Sequence, residues 1–391
     1  DSQALFSLLT SVKLYGEGSS DNANRLSMPT LSFEFAPHSA ESHSIVTMTN
    51  TPPLEGLLSG EATLDDVNGD ALPDILYGAT VSNPNFRYYE NWDGTTWGSA
   101  RTISNTPNLS LSDEGVLLTD ANGDGFRDLV HPHANGFRYY PGGGIDNGIF
   151  MGFGEAQTIY AGSTVEIPWT STEIKISDLN RDGRTDLLYD TGGQVQQILN
   201  LKTNALQASF LSNLPVDIDF EDPSIRMEDF NGDGHLDFIR ASFSPSESSV
   251  RTWFGRGNGI FAAEQSMTGV PTGFQDEFFL QDINKDGQTD ILRISGTAIT
   301  YYLNNGNLHF TAAPGQFQGL PISETQMQLF ADMNGNGTTD IVWITNNYKI
   351  KYLDLMLEPF HGLLQRIDNG MGMVTSFTYR MSTEFLIDHK N

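Results

Sequence analysis

The chain has 391 residues, 38% hydrophobic and 11% aromatic, which is ample for a packed core and too long for one small domain. Its 21 Lys and Arg against 49 Asp and Glu leave a formal net charge of −28, which argues against the basic surface that nucleic acid or an anionic membrane requires. With no Cys, disulfide scaffolds, thiol catalysis and Cys-ligated zinc are excluded and the compartment stays open.

In chain order, the N-terminus DSQALFSLLT has neither Met nor a signal-peptide pattern and reads as a cut end. No apolar run approaches the roughly 18 residues of a membrane span. SHSIVTMTN (Ser42 to Asn50) reads as an isolated strand. A nine-residue pattern then recurs six times: DVNGDALPD from Asp66, DANGDGFRD from Asp120, DLNRDGRTD from Asp178, DFNGDGHLD from Asp229, DINKDGQTD from Asp282 and DMNGNGTTD from Asp332. Successive copies start 50 to 58 residues apart. A half-apolar segment precedes each copy, a β-rich run such as ILYG or IVWI follows, and a second run such as FRYYEN or KIKYLD comes about ten residues later. A fourth segment such as WGSARTIS (Trp97 to Ser104) completes the unit. Their length, β-branched and aromatic content, and Gly, Asn and Pro boundaries mark these runs as strands.

Four strands per repeat make one blade of a β-propeller. The expected fold is all-β: six four-stranded blades over residues 56–357, preceded by a segment 1–55 and followed by residues 358–391 as the start of another, truncated region. A ring must close or expose an edge. Strand Ser42 to Asn50 is therefore expected to pair with YKIKYLDL (Tyr348 to Leu355) in the last blade.

The nine-residue loop has the chemistry of a calcium site. Position 1 supplies Asp66, Asp120, Asp178, Asp229, Asp282 and Asp332; position 3 supplies Asn68, Asn122, Asn180, Asn231, Asn284 and Asn334. Position 5 supplies Asp70, Asp124, Asp182, Asp233, Asp286 and, in the sixth copy, Asn336. Position 7 offers a backbone carbonyl from Leu72, Phe126, Arg184, His235, Gln288 or Thr338, and position 9 a carboxylate from Asp74, Asp128, Asp186, Asp237, Asp290 or Asp340. Hard oxygen donors at this spacing suit Ca²⁺, and Gly at position 6 permits the bend that wraps the loop around it. The alternative is a solvated Asx turn between two strands. Positions 1, 5 and 9 concentrate 17 carboxylates, which repel one another without a cation. Up to six ions are expected, held most weakly at the first loop, where Ala71 replaces Gly, and at the sixth, where Asn336 replaces Asp.

Other candidates are weaker. The aromatic pairs Tyr88-Tyr89, Tyr139-Tyr140, Trp253-Phe254 and Tyr301-Tyr302 could stack on sugars, but adjacent strand residues point to opposite faces and would pack on neighbouring blades. His131 and His133 flank a Pro and lack a third ligand. No nucleophile elbow, zinc-protease helix or P-loop is present, so no catalytic residue is assigned. A glycosidase carboxylate pair stays open, although the best-placed carboxylates are already taken as calcium ligands. Turns such as NWDGTTW (Asn91 to Trp97) and SPSESS (Ser244 to Ser249) vary most and are expected to form a binding face opposite the calcium loops.

The six loops, with FGRGNGIFAA (Phe254 to Ala263), resemble the FG-GAP/VCBS repeats of integrin-type propellers. The tail LLQRIDNGMGMVTSFTYRMSTEFLIDHKN (Leu363 to Asn391) resembles the segment that follows the propeller in the B component of bacterial insecticidal toxin complexes, relatives of which carry an SpvB-like region and Rhs/YD repeats. Arg366, Ile367, Asp368, Asn369, Gly370, Gly372, Tyr379, Ser382, Thr383 and Asp388 occupy the places of that family's pattern. The resemblance implies a secreted, non-enzymatic module that docks the toxin-enclosing cocoon onto a pore-forming A component and gates release of the toxic polypeptide, with that A component and a toxin-enclosing C component as its partners. It implies neither nucleic-acid binding nor membrane insertion by this chain. The rival readings are an adhesive or lectin-like propeller and a propeller hydrolase.

Overall fold

The computed structural model describes residues 8–16, 27–36, 44–104, 106–133, 136–143, 145–146, 149–161, 167, 174–190, 194–201, 205–211, 214, 218–244, 247–257, 259–272, 277–295, 298–318, 320–355, 363–381 and 383. Ser42, Ser382 and Asp388 from the motifs above lie outside them, as do the centre of SPSESS and Asn258. The described chain is all-β, built mainly of four-stranded antiparallel sheets as in a β-propeller. Its one α-helix among the described residues is the five-residue Glu55–Ser59. None of its helices is long and apolar enough to cross a membrane.

The first sheet comprises Ala62–Asp65, Asp74–Tyr77, Arg87–Tyr89 and Arg101–Thr102. The second comprises Leu117–Thr119, Asp128–Pro132, Gly136–Tyr140 and Gln157–Ala161. The third comprises Ile174–Ser177, Asp186–Asp190, Val195–Leu201 and Ala205–Phe210. Its last strand runs parallel to the last strand of the second sheet, fusing the two into eight strands. The fourth comprises Ile225–Glu228, Asp237–Ser242, Ser249–Trp253 and Gln265–Ser266. The fifth comprises Glu277–Gln281, Asp290–Ser295, Ala298–Asn304 and Phe310–Gln318. The sixth takes Thr325–Ala331, Asp340–Thr345 and Ile350–Asp354, with Val46–Thr47 as its outer strand. The registers Val46↔Tyr352 and Thr47↔Lys351 fix that pairing.

Each second strand begins at a position-9 Asp, and alternation does the rest. The first apolar residue after the Asp faces the preceding sheet and the next faces the following one. Leu129 packs with Leu76 and Tyr88 of the first sheet, whereas Val130 packs with Leu187 and Ile198 of the third. Leu187 and Leu188, Phe238 and Ile239, and Ile291 and Leu292 divide in the same way. Six cores result, each between consecutive sheets, and the sixth sets Val342 and Tyr352 against Ile75 and Tyr77 of the first sheet. Met48, 1% exposed, is buried in that last core.

A further four-stranded sheet joins the two ends of the described chain: Ser11–Val12, Leu31–Phe35, Leu364–Asp368 and Val374–Ser376. Its central register includes Ser32↔Asp368 and Phe33↔Ile367, and Arg366 forms ion pairs with Glu34 and Asp368. No repeat in the sequence announces this sheet.

Candidate metal-binding loops

Every nine-residue loop joins the first and second strands of its sheet and winds around its position-1 carboxylate. Oδ1 of Asp120 accepts the N–H groups of Gly123 (2.6 Å) and Asp124 (3.2 Å), and Oδ2 accepts that of Gly125 (2.8 Å). Asp66 and Asp229 repeat all three bonds; Asp178, Asp282 and Asp332 repeat those from positions 5 and 6. In all six loops the position-3 Oδ1 accepts the position-5 N–H and the position-5 Oδ1 accepts the position-7 N–H.

This winding puts two residues per loop in the left-handed region. Position 6 has φ from 65° at Ala71 to 89° at Gly125. Position 4 is also left-handed, including Arg181 (61°) and Lys285 (59°). Only position 6 was foreseen from the sequence; Gly at position 4 in four of the six copies was the available signal.

The position-9 carboxylates Asp74, Asp128, Asp186, Asp237, Asp290 and Asp340 have no exposed surface. In five sheets Oδ1 accepts an N–H from the end of the third strand or just beyond it: Asn91 (2.9 Å), Gly142 (2.8 Å), Asn200 (2.7 Å), Gly255 (2.7 Å) and Asn304 (2.7 Å). In five, Oδ2 accepts the position-2 N–H of its own loop. Position 9 therefore clamps loop to sheet.

Burial pushes these carboxyls up, and the neighbouring loop carboxylates push further. Asp128 rises to about 7, raised also by Asp124 and Asp120; Asp186 to about 6, by Asp182 and Asp178; Asp237 to about 7, by Asp233 and Asp229; Asp290 to about 8, by Asp286 and Asp282. Asp74 is likewise raised, by burial, then Asp70 and Asp66. Positions 1, 5 and 9 are thus within electrostatic reach of one another in the first five loops, and Asp74 Oδ2 has no hydrogen-bond partner. A hard cation suits that donor set. Among the described residues, no three His, Asp or Glu side chains converge closely enough to hold a metal unaided. The Asn oxygens, a backbone carbonyl and water would complete the shell, as Ca²⁺ allows.

The loops touch in cyclic order. Gly69 lies against Phe126, Gly123 against Arg184, Gly232 against Gly287, and Gly335 against Leu72 of the first loop. Arg181 donates to the carbonyls of Asp233 and Gly234, and Lys285 Nζ to that of Asn336 (3.3 Å). Asn side chains add bonds to the preceding loop's position-2 carbonyl: Asn91 to Met333 (2.9 Å), Asn200 to Ala121 (2.7 Å) and Asn304 to Phe230 (3.4 Å).

The aromatic pairs split between neighbouring cores. Tyr88 faces the second sheet and Tyr89 the sixth; Tyr139 and Tyr140, and Trp253 and Phe254, divide likewise. His131 stacks on Tyr140 (centroids 5.9 Å apart), while His133 Nε2 meets Arg138 Nη2 at 3.2 Å. One expectation needs correction. Asn91 to Trp97 joins third to fourth strand, and antiparallel strands bring that connection to the same end as the loops. Gly94 accordingly lies against Asn334 of the sixth loop. The opposite face is formed by the second-to-third strand connections, such as Gly78 to Phe86.

The FG-GAP-like repeat family matches residues 282–343, the fifth loop through the sixth second strand. No curated protein matches. Among solved structures, the chain is similar to the Photorhabdus luminescens Tc holotoxin pore, with TM-score 0.75 and 19% identity over 97% of this chain. It is similar to TcdB2–TccC3, with TM-score 0.58 and 19% identity over 99% of this chain. It spans 18% of the length of each of those two chains. An Agrocybe aegerita lectin, described as recognising non-reducing terminal N-acetylglucosamine, is similar at TM-score 0.51 and 18% identity over 72% of this chain and 74% of its own. At these identities the likeness is one of fold.

Proposed function

We propose that this chain is the non-catalytic propeller region of a secreted toxin-complex B component, a six-bladed ring with calcium in its loops. It docks on a pore-forming A component, lies against a toxin-enclosing C component and gates passage of the toxic polypeptide. The observation that carries this reading is the reach of the likeness to the Tc holotoxin pore. That likeness covers 97% of the chain, more than the repeats alone. Six inter-sheet cores and the cyclic contacts of the loops support six blades; the pairing of Val46–Thr47 with the sixth sheet supports closure by an N-terminal strand. The ring then spans residues 56–357 plus that strand, flanked by 1–55 and 358–391. Calcium rests on the mutual repulsion of each loop's carboxylates.

The docking face is the one opposite the loops, where connections differ in length from sheet to sheet. The net charge of −28 suits a partner with a basic rim, so association slows as salt rises. Interferometry of this chain against a cognate pore-forming component, with charge-reversed variants of that face, is the test. A second reading, a glycan-binding propeller, is favoured by the likeness to the lectin. Absence of binding at micromolar concentration, beside clear binding on a glycan array, would replace the first reading with the second.

A further inference from the structure

The sixth loop differs from the others in what its side-chain amides face. In the second, fourth and fifth loops the position-3 Asn donates Nδ2 to the position-5 carboxylate: Asn122 to Asp124 (2.8 Å), Asn231 to Asp233 (3.2 Å) and Asn284 to Asp286 (3.1 Å). In the sixth loop position 5 is Asn336, and the carboxylate comes from elsewhere. Asp354, the last residue of strand Ile350–Asp354, accepts Asn334 Nδ2 (2.9 Å) and Asn336 Nδ2 (2.7 Å) on one oxygen, and Thr338 Oγ1 (3.4 Å) reaches the other. Asn336 Oδ1 in turn accepts the Thr338 N–H at 2.8 Å and its hydroxyl. Asn336, Thr338 and Asp354 are 6%, 5% and 8% exposed.

The strand registers show how unusual that carboxylate is. The places matching Asp354 are filled by Pro141, Leu199, Phe254 and Leu303 in the second to fifth sheets. In the first sheet the place is held by Glu90, whose carboxylate pairs with Arg101 at 3.3 Å.

We propose that the sixth loop is a metal-free clasp in which two amide groups drawn onto Asp354, with the Thr338 hydroxyl closing onto Asn336, do the work proposed for a cation in the others. A cation seated there would meet Asn336 Nδ2 where the second, fourth and fifth loops offer a second carboxylate oxygen, and would have to pull that amide away from the buried Asp354. The ring then carries at most five calcium ions. The count rests on the calcium reading of the first five loops; the clasp does not. It also sits at the seam. Asn91 Nδ2 of the first sheet's third-to-fourth connection donates to the Met333 carbonyl (2.9 Å), and Thr383 Oγ1 from the C-terminal tail donates to that of Gly335 (2.9 Å), bonds that no chelator removes.

The test uses Asp354→Asn in the full chain, melted in calcium and in chelator, with calorimetric titration of the stripped protein. The variant is expected to melt about 3–6 °C lower in both buffers, by the same amount, with the number of bound ions unchanged. Asn336→Ala should behave in the same way and substitutes if Asp354→Asn does not fold. The double variant Asn336→Asp with Asp354→Asn should gain one ion. A drop confined to the calcium buffer, loss of one ion on Asp354→Asn, or no drop in either buffer overturns the clasp. A wild-type chain that binds no calcium removes the calcium reading, while the melts in chelator still decide the clasp.

Discussion

Gly125 shows what one backbone angle is worth in these loops. Its φ is 89°, and a methyl group added there would meet nothing within 4 Å. Gly125→Ala therefore isolates the backbone term and should cost about 1 kcal/mol. Ala71 holds the same position in the first loop at φ 65°, so Ala71→Gly should gain a similar amount. Denaturant melts of the two variants check this; shifts of the same sign would refute it. Position 6 was legible because Gly fills it in five of six copies. Position 4 was hidden behind Arg181 and Lys285, whose side chains reach the next loop's carbonyls. The buried carboxyls give a pH signature. Asp128, Asp237 and Asp290 are raised to about 7, 7 and 8, above the unfolded value of 3.8. Between those limits the folded chain holds more protons than the unfolded one, so without metal its stability falls as pH rises from about 4 to about 8 and levels off above that. Under the proposed calcium reading the ion would compete with those protons, bind more tightly at higher pH and offset the loss; a site held at 100 times its Kd would add about 2.7 kcal/mol. Melting at pH 5.5 and 8.5 in chelator is the measurement. A higher melting temperature at pH 8.5 would contradict it.

At the scale of elements, the repeat made the loops and their flanking strands readable, because period-two apolar runs beside a fixed turn leave few alternatives. The links between repeats were less visible. Asn91, Asn200 and Asn304 lie at or just beyond the ends of the third strands of the first, third and fifth sheets, and each reaches the preceding loop's position-2 carbonyl. An Asn near a strand end reads as turn chemistry, and nothing local says that its amide serves a loop 79 residues earlier, as Asn200 serves Ala121. Asn200→Ala strands the carbonyl of the 1%-exposed Ala121 and should cost about 1–3 kcal/mol by urea melting. Arg127→Ala breaks the half-exposed pair with Asp65 (3.0 Å) and should cost under about 1 kcal/mol. Equal costs for the two would undo this ranking. Strand Leu31–Phe35 went unread for a different reason. LSFEF is a short alternation in a polar stretch, and its partner Leu364–Asp368 lies more than 300 residues away.

At the scale of the molecule, six cores hold consecutive sheets together, and the one between the sixth and first sheets depends on residues near the start of the chain. Met48 is buried in it, and Val46–Thr47 covers strand Ile350–Asp354. Deleting residues 1–50 should leave a cavity and a bare strand edge, and light scattering should then report association in place of a monomer. A monodisperse deletion product with unchanged melting temperature would show that the seam does not need this strand. The fold class was legible because six copies of one unit leave little freedom in how they stack. The terminal sheet was not, since it appears once and joins segments with no repeat to announce them.

That terminal sheet also determines how the molecule responds to tension. Residue 32 pairs with 368 and residue 35 with 364, so the outward-leading ends of both strands emerge from the same side. Traction on the two ends loads the ladder in a peeling geometry, where pairs yield one after another instead of sharing the force. Behind it, Val46 pairs with Tyr352 and Thr47 with Lys351 in the same sense, so this pairing peels next, from Val46 inward. A pulled chain therefore opens in a set order: the terminal sheet first, the Val46–Thr47 strand second, and the six interlocked cores only after both have let go.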